Sequence, residues 1–313
     1  MRESCMVTVI IPTRPGQADV PALSAARRLR YPAECLEFCI VRGKQPAIQR
    51  NEAIKAAKGE IVYFLDDDAQ PHPENLERAI AHFRDPKVRM VGGPNLCPAS
   101  APFIEQVFAV VLGSWVAFGP SRARYQPVGR PRPSTEKELI LCNLLARRDA
   151  LLEQGGFDAS LYPNEENALM DNVQKRGGVL IYDPEIVAYR RPRPTLKAFI
   201  RMLLNYGRGR AEQFRLHPTA GSALNFAPPL FCVYLVLSPF FGGTGLVPLA
   251  AYALAIVLQT FYSAVINNSV RAFLAMPLLT ITHIAYGLGF WRGLFTRLRP
   301  KTALDSEVSL ERA

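Results

Sequence analysis

The sequence predicts an α/β domain on a mostly parallel sheet, followed by C-terminal transmembrane helices. Two patterns carry this. β-branched apolar runs alternate with helix-patterned segments through the first hundred residues, the signature of strands covered by helices. Between Arg215 and Arg271 the chain then has no Asp, Glu, Lys or Arg. A chain of 313 residues is long enough to bury a full core of this kind.

The elements follow in order. Val7 to Ile11 is a buried strand closed by Pro12, and 19–30 is a helix exposing Arg27, Arg28 and Arg30. Leu36 to Val41 is a second strand. Ile48 to Ala57 is a helix, with Gly59 as its C-cap. Ile61 to Leu65 is a third strand, running into Asp66, Asp67 and Asp68, and Pro73 opens the next helix. Residues 107–118 are apolar but too short to span a bilayer, and 120–137 read as a mobile Pro/Arg loop. Regular structure resumes over 139–150. Gly155-Gly156-Phe157-Asp158 is a turn, and Glu165 to Arg176 is a helix stopped by Gly177-Gly178. Val179 to Tyr182 and Ile186 to Tyr189 are short strands, and Leu196 to Tyr206 is a cationic helix.

The tail holds three segments, about 224–241, 246–266 and 272–291, each near the ~20 residues that cross a ~30 Å hydrocarbon core. Arg201, Arg208, Arg210 and Arg215 precede the first and place that end in the cytosol by the positive-inside rule. Arg271 fits a hairpin returning there. Arg292, Arg297, Arg299 and Lys301 follow the third segment and conflict with a further crossing. Residues 1–220, 221–298 and 299–313 are the expected soluble domain, membrane domain and polar tail. No signal peptide precedes the first strand, so the polar body is expected in the cytosol, on a multi-pass protein of the cytoplasmic membrane.

Composition narrows the function. Hydrophobic residues make up 49% of the chain, which excludes intrinsic disorder. Six dispersed cysteines without a CxxC, and four histidines without ligand spacing, point to reduced thiols rather than disulfides or zinc. The formal charge of +10 comes without a recognisable nucleic-acid module, and its cations gather around the tail and the Pro/Arg loop. An anionic membrane surface is the expected partner, not nucleic acid.

Three clusters can carry chemistry. Asp66, Asp67 and Asp68 stand at the carboxyl end of a buried strand, where α/β sheets bind ligands. Adjacent carboxylates there suit a hard divalent cation such as Mg²⁺ or Mn²⁺; a solvated acidic turn is the plainer alternative. Glu165 and Glu166 either favour a helix N-terminus or include a general base for a hydroxyl nucleophile. Arg190, Arg191 and Arg193 either flank the membrane or clamp a diphosphate.

Taken together, VTVIIPTR, QRNEAIKAAKGEIVYFLDDD, GGPN and GGFDASLYPNEEN, ahead of a basic stretch and apolar helices, resemble the family 2 glycosyltransferases of GT-A fold. The similarity is greatest to membrane-attached bacterial enzymes of exopolysaccharide assembly, of the succinoglycan type. It covers roughly residues 5–215.

The resemblance implies inverting transfer from a nucleotide-diphosphate sugar to a lipid-linked or saccharide acceptor. Asp66 and Asp68 match the DxD motif: Asp68 on the metal, and Asp66 facing donor and metal, with Asp67 beside them. Pro12, Thr13 and Arg14 match the loop bordering the nucleotide base, and Arg50 and Asn51 an RN pair near the donor. Gly92, Gly93 and Pro94 match an acceptor-side loop. Glu166 matches the catalytic base, with Glu165 its neighbour. Arg190, Arg191 and Arg193 stand near a (Q/R)xxRW position, though no Trp follows. Many relatives carry an acidic turn after the second strand that contacts uracil; here Val41-Arg42-Gly43-Lys44-Gln45 has no acid, which leaves the nucleotide open. The rival readings are a polyprenyl-phosphate glycosyltransferase and a non-catalytic membrane scaffold.

Overall fold

The computed structural model describes residues 5–161, 164–216, 218, 220–298 and 307–313. Met1 to Ser4, Tyr162 and Pro163 of the GGFDASLYPNEEN motif, His217, and Arg299 and Lys301 with the first part of the expected tail lie outside them.

The strands are β1 (Val7–Thr13), β2 (Leu36–Arg42), β3 (Ile61–Leu65), β4 (Gln70–Pro71), β5 (Val88–Gly92), β6 (Asn95–Leu96), β7 (Arg132–Ser134), β8 (Asn143–Arg147), β9 (Val179–Tyr182), β10 (Ala188–Tyr189) and β11 (Ser309–Arg312). The helices are α1 (Pro21–Ala26), α2 (Pro46–Ala56), α3 (Asn75–His82), α4 (Phe103–Leu112), α5 (Trp115–Phe118), α6 (Arg148–Glu153), α7 (Glu165–Lys175), α8 (Leu196–Leu216), α9 (Ala227–Leu237), α10 (Val247–Ile266) and α11 (Arg271–Phe295). Two compact units share them. One draws on Met1–Pro98, Ala123–Arg190 and Arg299–Ala313, the other on Ala99–Arg122 and Arg191–Leu298.

The first unit is an eight-stranded sheet in the order β11-β2-β1-β3-β8-β5-β9-β7. The apolar runs of β1 and β3 are buried on both faces. Period-two geometry sends Ile10, Val62 and Phe64 into one core, and Val7, Val9, Ile11, Ile61, Tyr63 and Leu65 into the other. The sheet is mixed rather than mostly parallel. β2-β1-β3 and β5-β9 are parallel, but β8 lies antiparallel between β3 and β5. β11 adds antiparallel to the β2 edge, with Arg42 bonded to Glu311 at 3.1 Å. That pairing covers an edge strand that would otherwise leave its backbone groups open.

Two local expectations are corrected. Gly59 is not a helix cap, since α2 ends at the Ala57 cap. A side chain at Gly59 would meet the Thr8 amide nitrogen at 2.5 Å, so close passage of β1 requires the glycine. Nor is 120–137 a mobile loop. Residues 119–124 form a 3-10 turn and Arg132–Ser134 is a strand. Arg132 reaches Glu138 at 2.6 Å and lies over the Tyr182 ring, while Arg124 is buried against the Glu136 carbonyl and Asn167. Arg124 and Arg132 are thus structural partners, while Arg130 is exposed.

The second unit is helical. The expected segments 224–241 and 246–266 form one apolar run, Ala223–Ile266, bent at Gly242 where φ is +60°. With Arg271–Phe295 this makes two helices long and apolar enough to cross a membrane among the described residues. The run 103–124 is broken by a 62° bend. α8 extends ten residues beyond its expected end and runs alongside α11 in the same direction. Leu204 faces Gly289, Arg208 faces Gly293, and Arg215 donates to the Gly293 and Thr296 carbonyls. Glycines at the seam let the two backbones touch.

Candidate functional site

Parallel β2-β1-β3 directs three carboxyl ends to one edge of the sheet, and the segment leaving β3 holds the acidic cluster. Asp66 follows β3 directly. Its Oδ1 accepts from Arg50 at 3.2 Å, and its Oδ2 pairs with Arg190 at 2.7 Å. The same Arg190 uses its Nε on Asp68 Oδ1 at 2.6 Å. Asp67 turns the other way and accepts from Gln17 at 2.8 Å. Gln17 is fixed in turn by its own carbonyl, which accepts from Arg42.

Arg50 projects from α2, and its side chain is only 8% exposed. Its second terminal nitrogen reaches Glu165 Oε1 at 3.4 Å, so one guanidinium joins Asp66 to the first turn of α7. Glu165 is 2% exposed, and its Oε2 has no hydrogen-bond partner among the described residues. Burial pushes the Glu165 carboxyl well above the usual carboxylate range; the charge on Glu166 adds to this and Arg50 opposes it. Glu166, the next residue, is half-buried. Burial works against the Arg190 charge, but Asp66 above all, with Asp68, more than offsets it and holds the guanidinium charged. Cys142, beside this pair, is buried, which with the Asp66 charge pushes its thiol up to about 12, so it stays neutral.

The structure thus gathers Asp66, Asp68, Arg50, Glu165 and Arg190, with Glu166 adjoining. Pro12 and Thr13 end β1 at the same edge, where the Thr13 carbonyl accepts from Gln49 at 2.8 Å and the Thr13 hydroxyl is buried without a partner among the described residues. Arg14 is exposed. Asn51 is spent on the scaffold: its amide exchanges two hydrogen bonds with the Phe157 backbone, at 2.8 and 2.7 Å, locking the Gly-Gly-Phe turn to α2. Gly92, Gly93 and Pro94 are knitted to 183–188, with Asp183 N donating to Gly92 O and Ala188 N to Pro94 O. Arg191 forms a two-bond pair with buried Glu105 inside the helical unit, where Arg193 is exposed. Gln17 and Cys142 were missed from sequence; only their long-range contacts mark them.

Two hard carboxylates that converge on one cationic group can also hold a metal ion. Among the described residues no three His, Cys, Asp or Glu side chains converge as a complete ligand set. Asp66 and Asp68 therefore fit a cation whose remaining ligands are phosphate oxygens and water, the usual mode for Mg²⁺ at nucleotides.

Fold and site together define an α/β protein with an acidic, arginine-bridged cluster at its strand ends. Residues 29–151 match the Glycosyl transferase family 2 profile, and the chain carries a family 2 glycosyltransferase domain of GT-A fold. Among curated proteins it is similar to the pre-mycofactocin glycosyltransferases of two Mycobacterium tuberculosis strains, CDC 1551 and H37Rv. Each is 26% identical over 275 residues, 80% of this chain and 56% of the relative. The chain thus spans about half the length of the curated relatives it matches. Among solved structures it is similar to the mannosyltransferase PcManGT of Pyrobaculum calidifontis, in complex with GDP-Man and Mn²⁺. The TM-score is 0.54 at 20% identity, covering 94% of this chain and 88% of that one. S. aureus TarS 1-349 with UDP follows at TM-score 0.47 and 14% identity, covering 92% and 90%.

Proposed function

We propose that the protein transfers a sugar, with inversion, from a nucleotide-diphosphate sugar to an acceptor hydroxyl. The observation that carries this is the convergence of Asp66, Asp68, Arg50 and Arg190 at the strand ends, with Glu165-Glu166 opening α7 beside them. Asp66 and Asp68 would hold Mg²⁺ or Mn²⁺, which when bound supplies positive charge against the leaving diphosphate. Pro12, Thr13 and Arg14 border the nucleotide, and Arg50 sets the angle of Asp66. Glu166 takes the proton of the acceptor hydroxyl as its oxygen bonds to the anomeric carbon. The bond from that carbon to the diphosphate oxygen breaks, and the nucleoside diphosphate departs with the electron pair. Asn51 and the Gly92-Gly93-Pro94 turn act as positioning elements.

Asp68→Asn keeps the side chain's shape and removes one hard charge. Turnover of the preferred donor with Mn²⁺ is expected to fall on the order of 10³-fold, the weight of a several-kcal/mol electrostatic interaction. The assay is a screen of UDP-, GDP- and TDP-sugars on detergent-solubilised protein, reading nucleoside diphosphate release. Release equal to wild type in the variant would remove Asp68 from the reaction, and with it the metal reading.

The helical unit favours a lipid-borne acceptor at the cytoplasmic face of the membrane, either a lipid-linked saccharide or a polyprenyl phosphate. Leu230, Val236, Phe240, Val247, Leu258 and Val265 are exposed along 223–266. α11 does not cross alone: α8 accompanies its second half with Arg208, Arg210 and Arg215, and these cannot enter hydrocarbon cheaply. The stretch left to α11 is about 15 residues, roughly 22 Å at 1.5 Å per residue and short of a bilayer core. We therefore read the unit as inserted in one leaflet rather than crossing three times. A cysteine at Asn268, between α10 and α11, is expected to react with an impermeant maleimide on the face where the sheet domain is accessible. Labelling from the opposite face alone would establish a crossing.

A further inference from the structure

We propose that Arg190 is a built-in counter-cation that competes with the divalent metal for Asp66 and Asp68, and yields to it when the donor diphosphate takes the guanidinium. The proposal rests on the metal reading above. Its own support is the way Arg190 is held. The residue directly follows β10, and its backbone N–H is anchored on the Leu96 carbonyl at 2.9 Å. From there the side chain spans both carboxylates, Nη1 on Asp66 at 2.7 Å and Nε on Asp68 at 2.6 Å. These are oxygens a metal ion would need.

Charge accounting makes the competition unavoidable. Asp66 and Asp68 carry the negative charge here, and Arg50 and Arg190 are cations paired to them. Arg50 is committed between Asp66 and Glu165 and nearly buried. Arg190 is a quarter exposed, and Asp68 is half exposed, so this is the pair that can open. A divalent ion on the same oxygens would sit within a few ångströms of the guanidinium, where like charges repel strongly. Displaced from the aspartates, the planar fork of Arg190 suits a diphosphate, which it can bind with two parallel hydrogen bonds. Metal alone compensates the aspartates but takes from Arg190 its anionic partners. Metal arriving with a nucleoside diphosphate exchanges one anionic partner of Arg190 for another. Metal and nucleotide should therefore bind cooperatively, each raising the affinity for the other by the same factor.

The test is Mn²⁺ binding to the full-length, detergent-solubilised protein, read by electron paramagnetic resonance, with and without GDP or UDP. Without nucleotide, Arg190→Gln is expected to bind Mn²⁺ about tenfold more tightly than wild type, because the competing charge is gone. Its gain on adding the nucleoside diphosphate should be smaller than the wild-type gain. Arg190→Lys keeps the charge but loses the fork and should fall between them, which preserves the test if the Gln variant does not fold. Unchanged or weaker Mn²⁺ binding in these variants overturns the proposal. Asp68→Asn separates the two ideas. If it abolishes a wild-type Mn²⁺ signal while Arg190→Gln changes nothing, the metal site stands and the competition fails. If wild type and Arg190→Gln both bind no Mn²⁺, even with nucleotide, both fail.

Discussion

Glu166→Gln is expected to bind donor as wild type does and to transfer sugar some 10²- to 10⁴-fold more slowly, the range general-base catalysis contributes. The two glutamates that open α7 are distinct in kind. Glu165 is sealed from solvent, bonded on one oxygen to Arg50, and its carboxyl is driven towards the neutral form by burial. Its place is between Arg50 and the helix, and a neutral Gln there replaces a group already disposed to be neutral. Glu165→Gln should therefore cost less than its neighbour's substitution and act mainly on donor affinity through Arg50 and Asp66. Glu166 is half-buried and can meet an incoming hydroxyl. Separate measurement of donor binding and single-turnover transfer in the two variants decides between them. If Glu165→Gln is the variant that keeps donor and loses transfer, the roles are reversed. An acid limb of kcat/KM displaced well above the usual carboxylate range would say the same, since Glu165 is the carboxyl that burial raises.

What was legible in the sequence was what local pattern encodes. Ile61 to Leu65, and Val7 to Ile11 apart from Thr8, are apolar on both faces because helices cover both sides of the sheet, so the runs themselves announced buried strands. Asp66 to Asp68 then had to emerge at a carboxyl end, and Glu165 starts α7 where the pattern put a helix. What stayed hidden depends on partners distant in sequence. Over 139–150 the sequence predicts only regular structure, and nothing there tells that Asn143 to Arg147 is a strand entering antiparallel between β3 and β5. Ser309 to Arg312 is too polar to announce a strand, and is one because the β2 edge is open to it. Arg190, Arg191 and Arg193 look equivalent as a basic run. Only the fold gives Arg190 to Asp66 and Asp68 and Arg191 to Glu105. The length of α8 was underestimated for a related reason. Its second half, Gly207 to Leu216, carries two glycines, poor helix signals in isolation. Contact with α11, where Gly207 meets the Tyr286 backbone, makes that glycine an asset.

Gly93→Ala is expected to cost about 3 kcal/mol or more, among the largest effects for one methyl group, because the added carbon has nowhere to go. At this position a Cβ would fall inside the contact distance of the Ile186 and Asp183 carbonyl oxygens, both backbone atoms that no rotamer change can move aside. The surrounding backbone is pinned as well. Asp183 N donates to Gly92 O and Ala188 N to Pro94 O, and Asn143, fully buried, donates to the Pro94 and Ile186 carbonyls at 3.2 and 2.8 Å. Relief would need to part β5 from the 183–188 segment and expose polar groups that are satisfied only by each other. Thermal unfolding or limited proteolysis of the variant, beside Gly243→Ala as a control, measures it. Gly243 has open space around its Cβ position and should change stability by less than about 0.5 kcal/mol. The result also weighs two explanations of the Gly-Gly-Pro turn. If the glycine is there to let an acceptor approach the backbone, Gly93→Ala should fold as wild type and lose only transfer. If it is there because two chain segments cross without room for a side chain, the protein should lose stability first, and the contacts around Gly93 favour that outcome.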